Sequence, residues 1–409
     1  MHIDGPDLDR TVPALLVKVG RYPQHHGGVG AIRTLGRRGV PVYAMVEDRF
    51  TPAALSRRLT GRFVCPTTGL EAPEALVAAL LRVGRAIGRP AVAVPTDDEA
   101  AVLLAEHAEE LRGCLLLPPV PPGLPRVLAS KAGLHRTCLA YGVPTPRAWA
   151  PADHAELLAI GREWGYPLIL KNLEAWTRLR APVVGNTTLV RDEAQLRAVV
   201  PDGRALSLLV QEYLPPEQSE DWITHLYCPA DGAAPLVFTG VKQRAWPPQA
   251  GVTTRACALP NRELAALAAG FCGRLGYRGS ADLDWRLDLR DGRYKLVDFN
   301  PRTGAQFRLF ENEHGVDVVR AMHLDLTGRP VPASPQRDRR SFVVGQLDLP
   351  SALCWAWRER RLPPGLLPGA LRGRETERAW FCTDDPLPAA AEAVRFSGTV
   401  AGRIARAFS

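Results

Sequence analysis

The chain has 409 residues, 46% of them hydrophobic, and a formal net charge of +8. This length and apolar content suffice for a large core divided into two or three domains. No apolar run approaches the roughly 18 residues of a membrane span, and the polar, acidic start MHIDGPDLDR is unlike a signal peptide. We therefore expect a cytoplasmic protein that does not bind membranes.

Charge distribution and cysteine spacing exclude two further classes. The arginines are spread along the chain rather than concentrated in one stripe, which argues against nucleic-acid binding and favours an anionic small-molecule substrate. The eight cysteines form no C-x-x-C pair and no regular framework. We expect free thiols in a reducing compartment.

Residues 1–125 are predicted to form an α/β domain, because apolar runs alternate with helical segments. The first unit has the order strand, glycine-rich segment, helix and strand, over residues 14–20, 25–30, 31–39 and 40–46. This order is typical of a βαβ unit. The proline-rich segment LLLPPVPPGLPR at 115–126 marks the end of the domain.

The glycine-rich segment HHGGVG matches only part of a nucleotide-binding motif. Gly28 and Gly30 fit the start of the dinucleotide fingerprint, but Arg33 stands where its third glycine belongs. A tight turn is the favoured interpretation, and anion binding at the helix N-terminus is the alternative.

A second strand-to-helix transition lies at AVAVPTDDEAAVLLAEHAEEL, residues 91–111. Thr96, Asp97 and Asp98 are placed to cap the helix, which accounts for at least one of the acids. Ligands of open α/β sheets bind at the carboxyl ends of strands. Thr96 and Asp97 are therefore also predicted substrate contacts.

Two lysines follow the proline-rich segment. Ser130 is predicted to cap a helix that ends at Gly142, with Lys131 in its first turn. Lys171 ends the apolar run YPLILK, where an ammonium needs an anionic partner.

The next segments predict a broken strand and a charged strand. LSLLVQEYLPPEQSEDW, residues 206–222, is predicted to be a buried strand that breaks at two prolines, which leaves main-chain donors and acceptors that need partners. FTGVKQRAW reads as a strand with Lys242 and Arg244 on one face. As solvent-exposed charges, these two would need no functional explanation.

Two acid-bearing strands are predicted in GSADLDWRLDLRDG and RYKLVDFNPRTG, residues 279–304. A two-residue turn between them would place Asp284 opposite Phe299. A three-residue loop, with Gly292 in the left-handed position of a bulge, would place Asp284 opposite Asp298, and this is the register that we predict.

Two carboxylates directly across a strand pair repel each other unless a cation lies between them. Asp284, Asp298 and the amide of Asn300 suit Mg²⁺, which takes only one or two protein carboxylates. The alternative is a solvated acidic face that Arg286 or Arg302 neutralises.

The run VDFNPR resembles the E-x-N-P-R signature of the ATP-grasp enzymes, with Asp298 in place of the usual Glu and Asp284 at the other metal-binding acid. The shorter Asp favours monodentate or water-mediated metal contact.

Residues 12–330 are similar to the carboxylate-amine ligase branch of this superfamily, which includes D-aspartate ligase. The implied fold is α/β, in part α+β. Its parts are a βαβ pre-ATP-grasp domain at 1–125, a two-lobed ATP-grasp domain at 126–333 with lobes over about 145–210 and 211–333, and a C-terminal extension at 334–409.

The resemblance also implies roles for individual residues. Phosphate contacts fall on Lys131, Lys171 and Lys242. Arg244 is expected to bind the substrate carboxylate or its acyl phosphate. Arg302 is expected to stabilise charge on the transferred phosphoryl group. The hinge that binds the adenine is expected at Gln211, Glu212, Tyr213 and Leu214. The ribose contact is expected at Glu220.

The chain departs from the family at two places. Where most members have a glycine-rich phosphate loop, residues 172–186 read NLEAWTRLRAPVVGN, and Arg178 or Arg180 is the candidate for covering ATP. Beyond residue 334, two helices are predicted, the first with Trp355 and Trp357 in or near an interface.

The activity that the resemblance implies is ATP-dependent ligation of a small-molecule carboxylate to an amine, with ATP and Mg²⁺ or Mn²⁺. An amino acid or short peptide is the expected substrate, and a homodimer is compatible with the family. The alternatives are a carboxylase, a kinase, a thiol ligase, or a non-catalytic ATP-binding protein. The Asp-for-Glu change and the missing glycine loop favour the last of these.

Overall fold

The computed structural model describes residues 5–22, 24–174, 182–185, 187–203, 206–247, 251–359 and 375–407. The strands in these ranges form three sheets of five, four and seven strands. The eight cysteines are free. None of the helices described combines the length and apolar character needed to cross a bilayer.

The first sheet is parallel and confirms the predicted βαβ start, since its first two strands pair in parallel. Its strands, in the spatial order β3-β2-β1-β4-β5, are β1 (Ala14–Val17), β2 (Val42–Val46), β3 (Gly61–Val64), β4 (Ala91–Pro95) and β5 (Leu115–Leu116). The helices of this part are α1 (His26–Gly36), α2 (Pro73–Ile87), α3 (Asp98–Glu106) and α4 (Ala108–Leu111).

The glycine-rich segment is part of α1 and not a tight turn, so that prediction is wrong. The ring of His25 caps the helix by accepting from the Gly28 main-chain N–H (3.2 Å). A Cβ on Gly27 would come within 2.9 Å of Ala305, and one on Gly30 within 3.1 Å of Phe307. The glycines therefore let the helix pack closely on the segment that follows the predicted metal-binding strand.

The second sheet is antiparallel, with the order β6-β9-β7-β8. It is entered through α5 (Leu124–Ala129) and α6 (Lys131–Ala140), and Ser130 caps α6 as predicted. The remaining elements are β6 (Ala148–Trp149), α7 (His154–Trp164), β7 (Leu168–Asn172), β8 (Thr188–Val190), α8 (Glu193–Val199) and β9 (Leu208–Glu212). Apolar side chains of these helices and strands form a core of their own.

The third sheet has seven strands in the order β14-β13-β10-β11-β12-β15-β16. They are β10 (Ser219–Cys228), β11 (Leu236–Trp246), β12 (Val252–Ala258), β13 (Gly279–Asp288), β14 (Arg293–Asn300), β15 (Ser341–Val343) and β16 (Thr376–Arg378). The helices are α9 (Arg262–Arg274), α10 (Val318–Leu326), α11 (Gly345–Glu359) and α12 (Leu387–Ala407). Residues beyond 334 thus extend the same sheet through β15 and β16.

Two cores lie on opposite faces of this sheet. On one face, Phe271 of α9 packs with Trp285 and Phe299. On the other face, Ile223 and Phe238 join a core shared with α1 and the first sheet. The shared core packs α1 and the first sheet against β10, β11 and β12 and against the loop that follows β14.

Candidate active site

The hairpin of β13 and β14 brings the two predicted acids together. Asp284 pairs directly with Asp298, as predicted, and Gly292 adopts the left-handed conformation (φ +68°). The loop is longer than predicted, because Asp288 pairs with Arg293 and leaves four residues between the strands. A bulge at Val297 then restores the register of the acids.

Each acid is held by a lysine from a different element. Asp284 pairs with Lys242 of β11 at 2.6 Å, and Asp298 makes a close ion pair with Lys131 at the start of α6. Neither arginine of the alternative pairs directly with these acids, since Arg286 pairs with Asp221 (2.7 Å) and Arg302 with Asp282 (3.0 Å). The charge of Arg302 still helps to lower the pKa of Asp298.

The two acids differ in their protonation behaviour. Burial and the neighbouring charges of Asp282 and Asp298, opposed by Lys242, raise the pKa of Asp284. Burial would also raise the pKa of Asp298, but the ammonium groups of Lys131 and Lys171 outweigh it and lower that pKa. The negative charge of Asp284 is therefore less compensated than that of Asp298.

Asp282 is a residue of the site that the sequence prediction did not assign. Its carboxylate lies 3.1 Å from Nε2 of His225 and accepts from Nη1 of Arg302 at 3.0 Å. These partners outweigh burial and hold the pKa of Asp282 well below its usual range. Arg302 also pairs with Asp98 at the start of α3 (3.4 Å), so its guanidinium has a carboxylate partner on two sides.

The donors fit a hard divalent cation. Within the described ranges, no group of three or more His, Cys, Asp or Glu side chains is placed to hold a metal ion. Asp284 and Asp298 nevertheless face each other, and the Asn300 amide nitrogen donates to the Asp282 main chain (3.1 Å), which turns its oxygen away from that contact. Mg²⁺ needs no more than one or two carboxylates with further oxygen ligands.

Lys171 lies where the sequence predicted an ammonium that needs an anion. It is buried at the end of β7, and its Nζ lies 3.4 Å from the main-chain oxygen of Val297. Burial lowers its pKa to about 8, although the charge of Asp298 opposes this shift. Lys131 and Lys171 therefore approach Asp298 from two different elements.

The predicted hinge joins the second and third sheets. Gln211 and Leu214 are buried, and Tyr213 is half-buried. Glu212 pairs with Lys295 (3.4 Å), and the Leu214 main-chain oxygen accepts from Arg286 (3.0 Å).

Glu220, the predicted ribose contact, is not placed with the site. It pairs across the sheet with Leu287 and accepts from the Trp222 indole (3.0 Å), on the face opposite Asp284. Asp221 is the acid that alternation places on the face of Asp284. A ribose contact by Glu220 therefore stays a prediction.

Lys242 and Arg244, predicted on one face of a strand, pair with different acids. The pairing of β11 with β12 is irregular between them, and Arg244 turns to a buried, two-pronged ion pair with Asp348 of α11 (2.8 and 2.6 Å). Substrate binding by Arg244 stays a prediction, and it would require Asp348 to share the guanidinium.

The two predicted substrate contacts at the end of β4, Thr96 and Asp97, differ in their surroundings. Asp97 caps α3 through the Ala100 N–H (2.7 Å) and also accepts from the Val19 and Gly20 N–H groups (3.0 Å each). Its carboxylate is occupied by structural bonds. Thr96 donates to the Val17 main-chain oxygen (3.2 Å) and lines a cleft at the strand ends.

Two further predictions concern the departures from the family. Arg178 and Arg180 lie outside the described residues. The predicted C-terminal helices are α11 and α12; on α11, Trp355 is half-buried, whereas Trp357 is 85% exposed, so an interface position for Trp357 is not seen in this chain.

Known proteins resemble the chain in sequence and in fold. No protein-family model matches the chain. D-aspartate ligase of Enterococcus faecium (strain Aus0004) is 23% identical over 240 residues, which are 56% of this chain and 56% of that protein. The chain thus matches little more than half the length of this curated relative.

Solved structures match most of the chain. N5-carboxyaminoimidazole synthetase from Staphylococcus aureus complexed with ADP superposes with a TM-score of 0.60 at 11% identity, covering 82% of each chain. The biotin carboxylase domain of Hydrogenobacter thermophilus 2-oxoglutarate carboxylase, in complex with MgADP, ADP and bicarbonate, gives 0.57 at 17% identity and covers 80% of this chain and 73% of that chain.

These neighbours show that the chain has the ATP-grasp fold, as the sequence predicted. Within that class, the curated match confirms the predicted resemblance to the carboxylate-amine ligases.

Proposed function

We propose that the chain is an ATP-dependent ligase that joins a carboxylate to an amine through an acyl phosphate, releasing ADP and phosphate. The observation that carries this proposal is the facing pair Asp284 and Asp298, held by lysines from two elements. The similarity to a D-aspartate ligase supports the ligase type. The ADP in the structural neighbours supports a nucleotide ligand for this chain.

Nucleotide binding is assigned to the positive charges around the acid pair. Lys131, Lys171 and Lys242 bind the phosphates, and the hinge at 211–214 binds the adenine. Asp284, Asp298 and Asn300 would hold Mg²⁺ or Mn²⁺, which neutralises phosphate charge when bound. Lys131 and Lys242 then exchange a carboxylate partner for a phosphate partner.

Arg302 stabilises the charge on the phosphoryl group that is transferred to the carboxylate. Its guanidinium is held between Asp282 and Asp98 at 3.0 and 3.4 Å. A donor that is oriented before the reaction costs little reorganisation when charge develops. The amine then displaces phosphate and leaves the amide; the general base for this step is not assigned.

The decisive experiment is a screen for ADP release over pairs of carboxylic acids and amines, with product masses measured for every active pair. The proposal requires one pair that releases ADP and yields the mass of the amide. Bicarbonate and thiols belong in the screen as other acceptors. ADP release with a carboxylated or thioester product, and never with an amide, would overturn the ligase assignment.

The site assignment has its own test in Asp298→Ala. This variant should keep the fold and the melting temperature within a few degrees, but lose at least roughly a hundredfold in ADP release. Asp291→Asn is the matched control, because Asp291 lies in the exposed loop of the same hairpin. Full activity of Asp298→Ala would show that the acid pair is not the site.

A further inference from the structure

A buried polar pair lies behind Arg302 in the third sheet. His225 of β10 is opposite Asp282 of β13, and Nε2 of His225 lies 3.1 Å from Oδ1 of Asp282. Both side chains are buried, and the ring of His225 packs against Phe310 with centroids 5.1 Å apart. The other carboxylate oxygen of Asp282 accepts from Arg302. Asp282 therefore lies between an imidazole in the core and the guanidinium at the proposed site.

Stability does not explain this pair. Nδ1 of His225 is buried and has no hydrogen-bond partner in the part of the chain that the structure describes. Such an atom costs free energy, and a buried ion pair adds little net stability compared with apolar side chains of similar volume. The loop after β14 leaves no room for a Cβ on Gly304 beside the two side chains. The polar pair is thus a costly choice in a closely packed place, which indicates a functional role.

The contacts of Arg302 leave one of its nitrogens available. Nη1 donates to Asp282 (3.0 Å) and to the Thr303 main-chain oxygen (3.3 Å), and Nε lies 3.4 Å from Oδ1 of Asp98. Nη2 has no hydrogen-bond partner among the described residues. The guanidinium is therefore fixed through Nη1 and Nε, and Nη2 can bind a ligand.

This arginine acts on the acid pair. Its positive charge helps to lower the pKa of Asp298, which is opposite Asp284 in the hairpin. The Asn300 amide donates to the main-chain oxygen of Asp282 (3.1 Å), so the segment that holds Arg302 is tied to a proposed metal ligand. A movement of the Asp282 side chain would therefore shift Arg302 relative to the proposed metal site.

We propose that His225 and Asp282 are positioning residues: His225 holds Asp282, and Asp282 orients Arg302 so that Nη2 meets the transferred phosphoryl group. This inference rests on the proposed function, in which Arg302 stabilises that group. An arginine side chain has many rotamers, and fixing it before the reaction avoids reorganisation when charge develops. Residues that act in this way should affect kcat more than KM, because their effect appears in the transition state.

The first test is the kinetics of ADP release. Asp282→Asn and His225→Phe should each lower kcat roughly ten- to hundredfold and leave the KM for ATP within about twofold of the wild type. His225→Phe keeps an aromatic ring against Phe310 and removes Nε2. His225→Gln carries an amide donor and should recover most of the lost kcat. A structural role predicts the reverse order, because Phe suits an apolar site better than Gln.

Thr224→Val is the matched control. Thr224 precedes His225 in β10, is buried on the opposite face and accepts from the Trp285 indole (3.0 Å). The variant removes a buried hydrogen bond from the same two strands, so it should lower the melting temperature and leave kcat unchanged. If it lowers kcat as much as His225→Phe does, the loss reflects damage to the sheet, and the inference is wrong.

A double-mutant cycle tests whether the pair acts through Arg302. In the background of Arg302→Met, Asp282→Asn and His225→Phe should change kcat by less than about twofold, because the group that they orient is gone. Full, multiplicative losses in that background would show that the pair acts independently of Arg302, which would overturn the inference.

A binding measurement separates this inference from the ligase function. Fluoroaluminate added to MgADP mimics the transferred phosphoryl group and should tighten MgADP binding by the wild type in calorimetry. Asp282→Asn and His225→Phe should lose most of this tightening and bind MgADP alone with unchanged affinity. Equal tightening in both variants would overturn the inference even where an amide is formed. Loss of the tightening, with no amide product from any acid and amine pair, would support the inference while the ligase assignment fails.

Discussion

Asp284 faces Asp298 only because Val297 is left out of the pairing between β13 and β14. The register nearest the loop pairs Trp285 with Leu296, and without the bulge it would continue by pairing Asp284 with Val297. The two acids would then lie on opposite faces of the sheet, since a shift of one residue reverses every side chain. One extra residue in β14 therefore assembles the acid pair.

Replacing Lys171 should weaken nucleotide binding without lowering the stability of the fold. Burial lowers its pKa to about 8, below its unfolded value, so the charged form destabilises the folded state at neutral pH. Lys171→Met keeps the length of the side chain and removes this cost. We expect an equal or higher melting temperature and roughly tenfold weaker ATP binding in calorimetry.

The matched control is Lys295→Met, which removes an ammonium that pairs with Asp288 (2.7 Å) near the hairpin loop. This variant should lose stability, because it leaves a buried carboxylate with fewer partners. If Lys171→Met melts lower and binds ATP as the wild type does, Lys171 is a structural residue.

The ion pair between Arg244 and Asp348 gives the second prediction. Removing one partner leaves a buried charge, so Asp348→Ala should lower the free energy of unfolding by about 3–5 kcal/mol. Arg244→Met/Asp348→Leu removes both charges and should come within about 1 kcal/mol of the wild type. Urea unfolding measures both values.

The double variant also tests the predicted role of Arg244 in substrate binding. If the stable double variant retains full ADP release, Arg244 only ties β11 to α11. If it folds but raises the KM for the carboxylate substrate, the guanidinium binds that substrate despite its partner.

Local patterns in the sequence were enough to predict the βαβ start, the helix cap at Ser130 and the pairing of Asp284 with Asp298. Each depends on residues close together in the chain, through alternation, capping or turn chemistry. Asp282 was visible in the same alternation, two residues before Asp284. Its role in the site was not visible in the sequence, because its partner His225 lies on β10 and the order of the strands in the sheet sets that contact.

Packing between distant segments could not be predicted from local patterns. The glycines of α1 were read as a turn, whereas they allow contact with Ala305, nearly three hundred residues away. The local pattern around Arg244 likewise gave no sign of its partner Asp348, which lies about a hundred residues further along the chain. No spacing rule contains either relationship.

His26 makes stability depend on pH. Its ring packs against Phe342 and Trp380 (centroids at 5.6 and 5.7 Å), and burial lowers its pKa to about 4. Between pH 6.5 and 4, the unfolded chain binds a proton here that the folded chain does not, so stability falls as the pH falls. His26→Phe should reduce this loss by up to about 1 kcal/mol per pH unit.

The measurement is urea unfolding of both proteins at neutral pH and near pH 5. His314→Gln is the control, since His314 is exposed, and it should leave the pH dependence of the wild type unchanged. Parallel pH profiles of His26→Phe and the wild type would contradict the assignment.

Two glycine-to-alanine substitutions should change stability in opposite directions. A Cβ on Gly304 would lie 2.1 Å from Cε1 of His225 and 2.7 Å from Cγ of Asp282, so Gly304→Ala should cost about 1–3 kcal/mol. It should also lower ADP release, because Asp282 holds Arg302. Gly270, inside α9, leaves 3.5 Å to the nearest atom of Arg274, and Gly270→Ala should add roughly 0.5–1 kcal/mol without changing activity. Thermal and urea unfolding measure both, and equal effects of the two substitutions would show that the loop after β14 is not closely packed on His225 and Asp282.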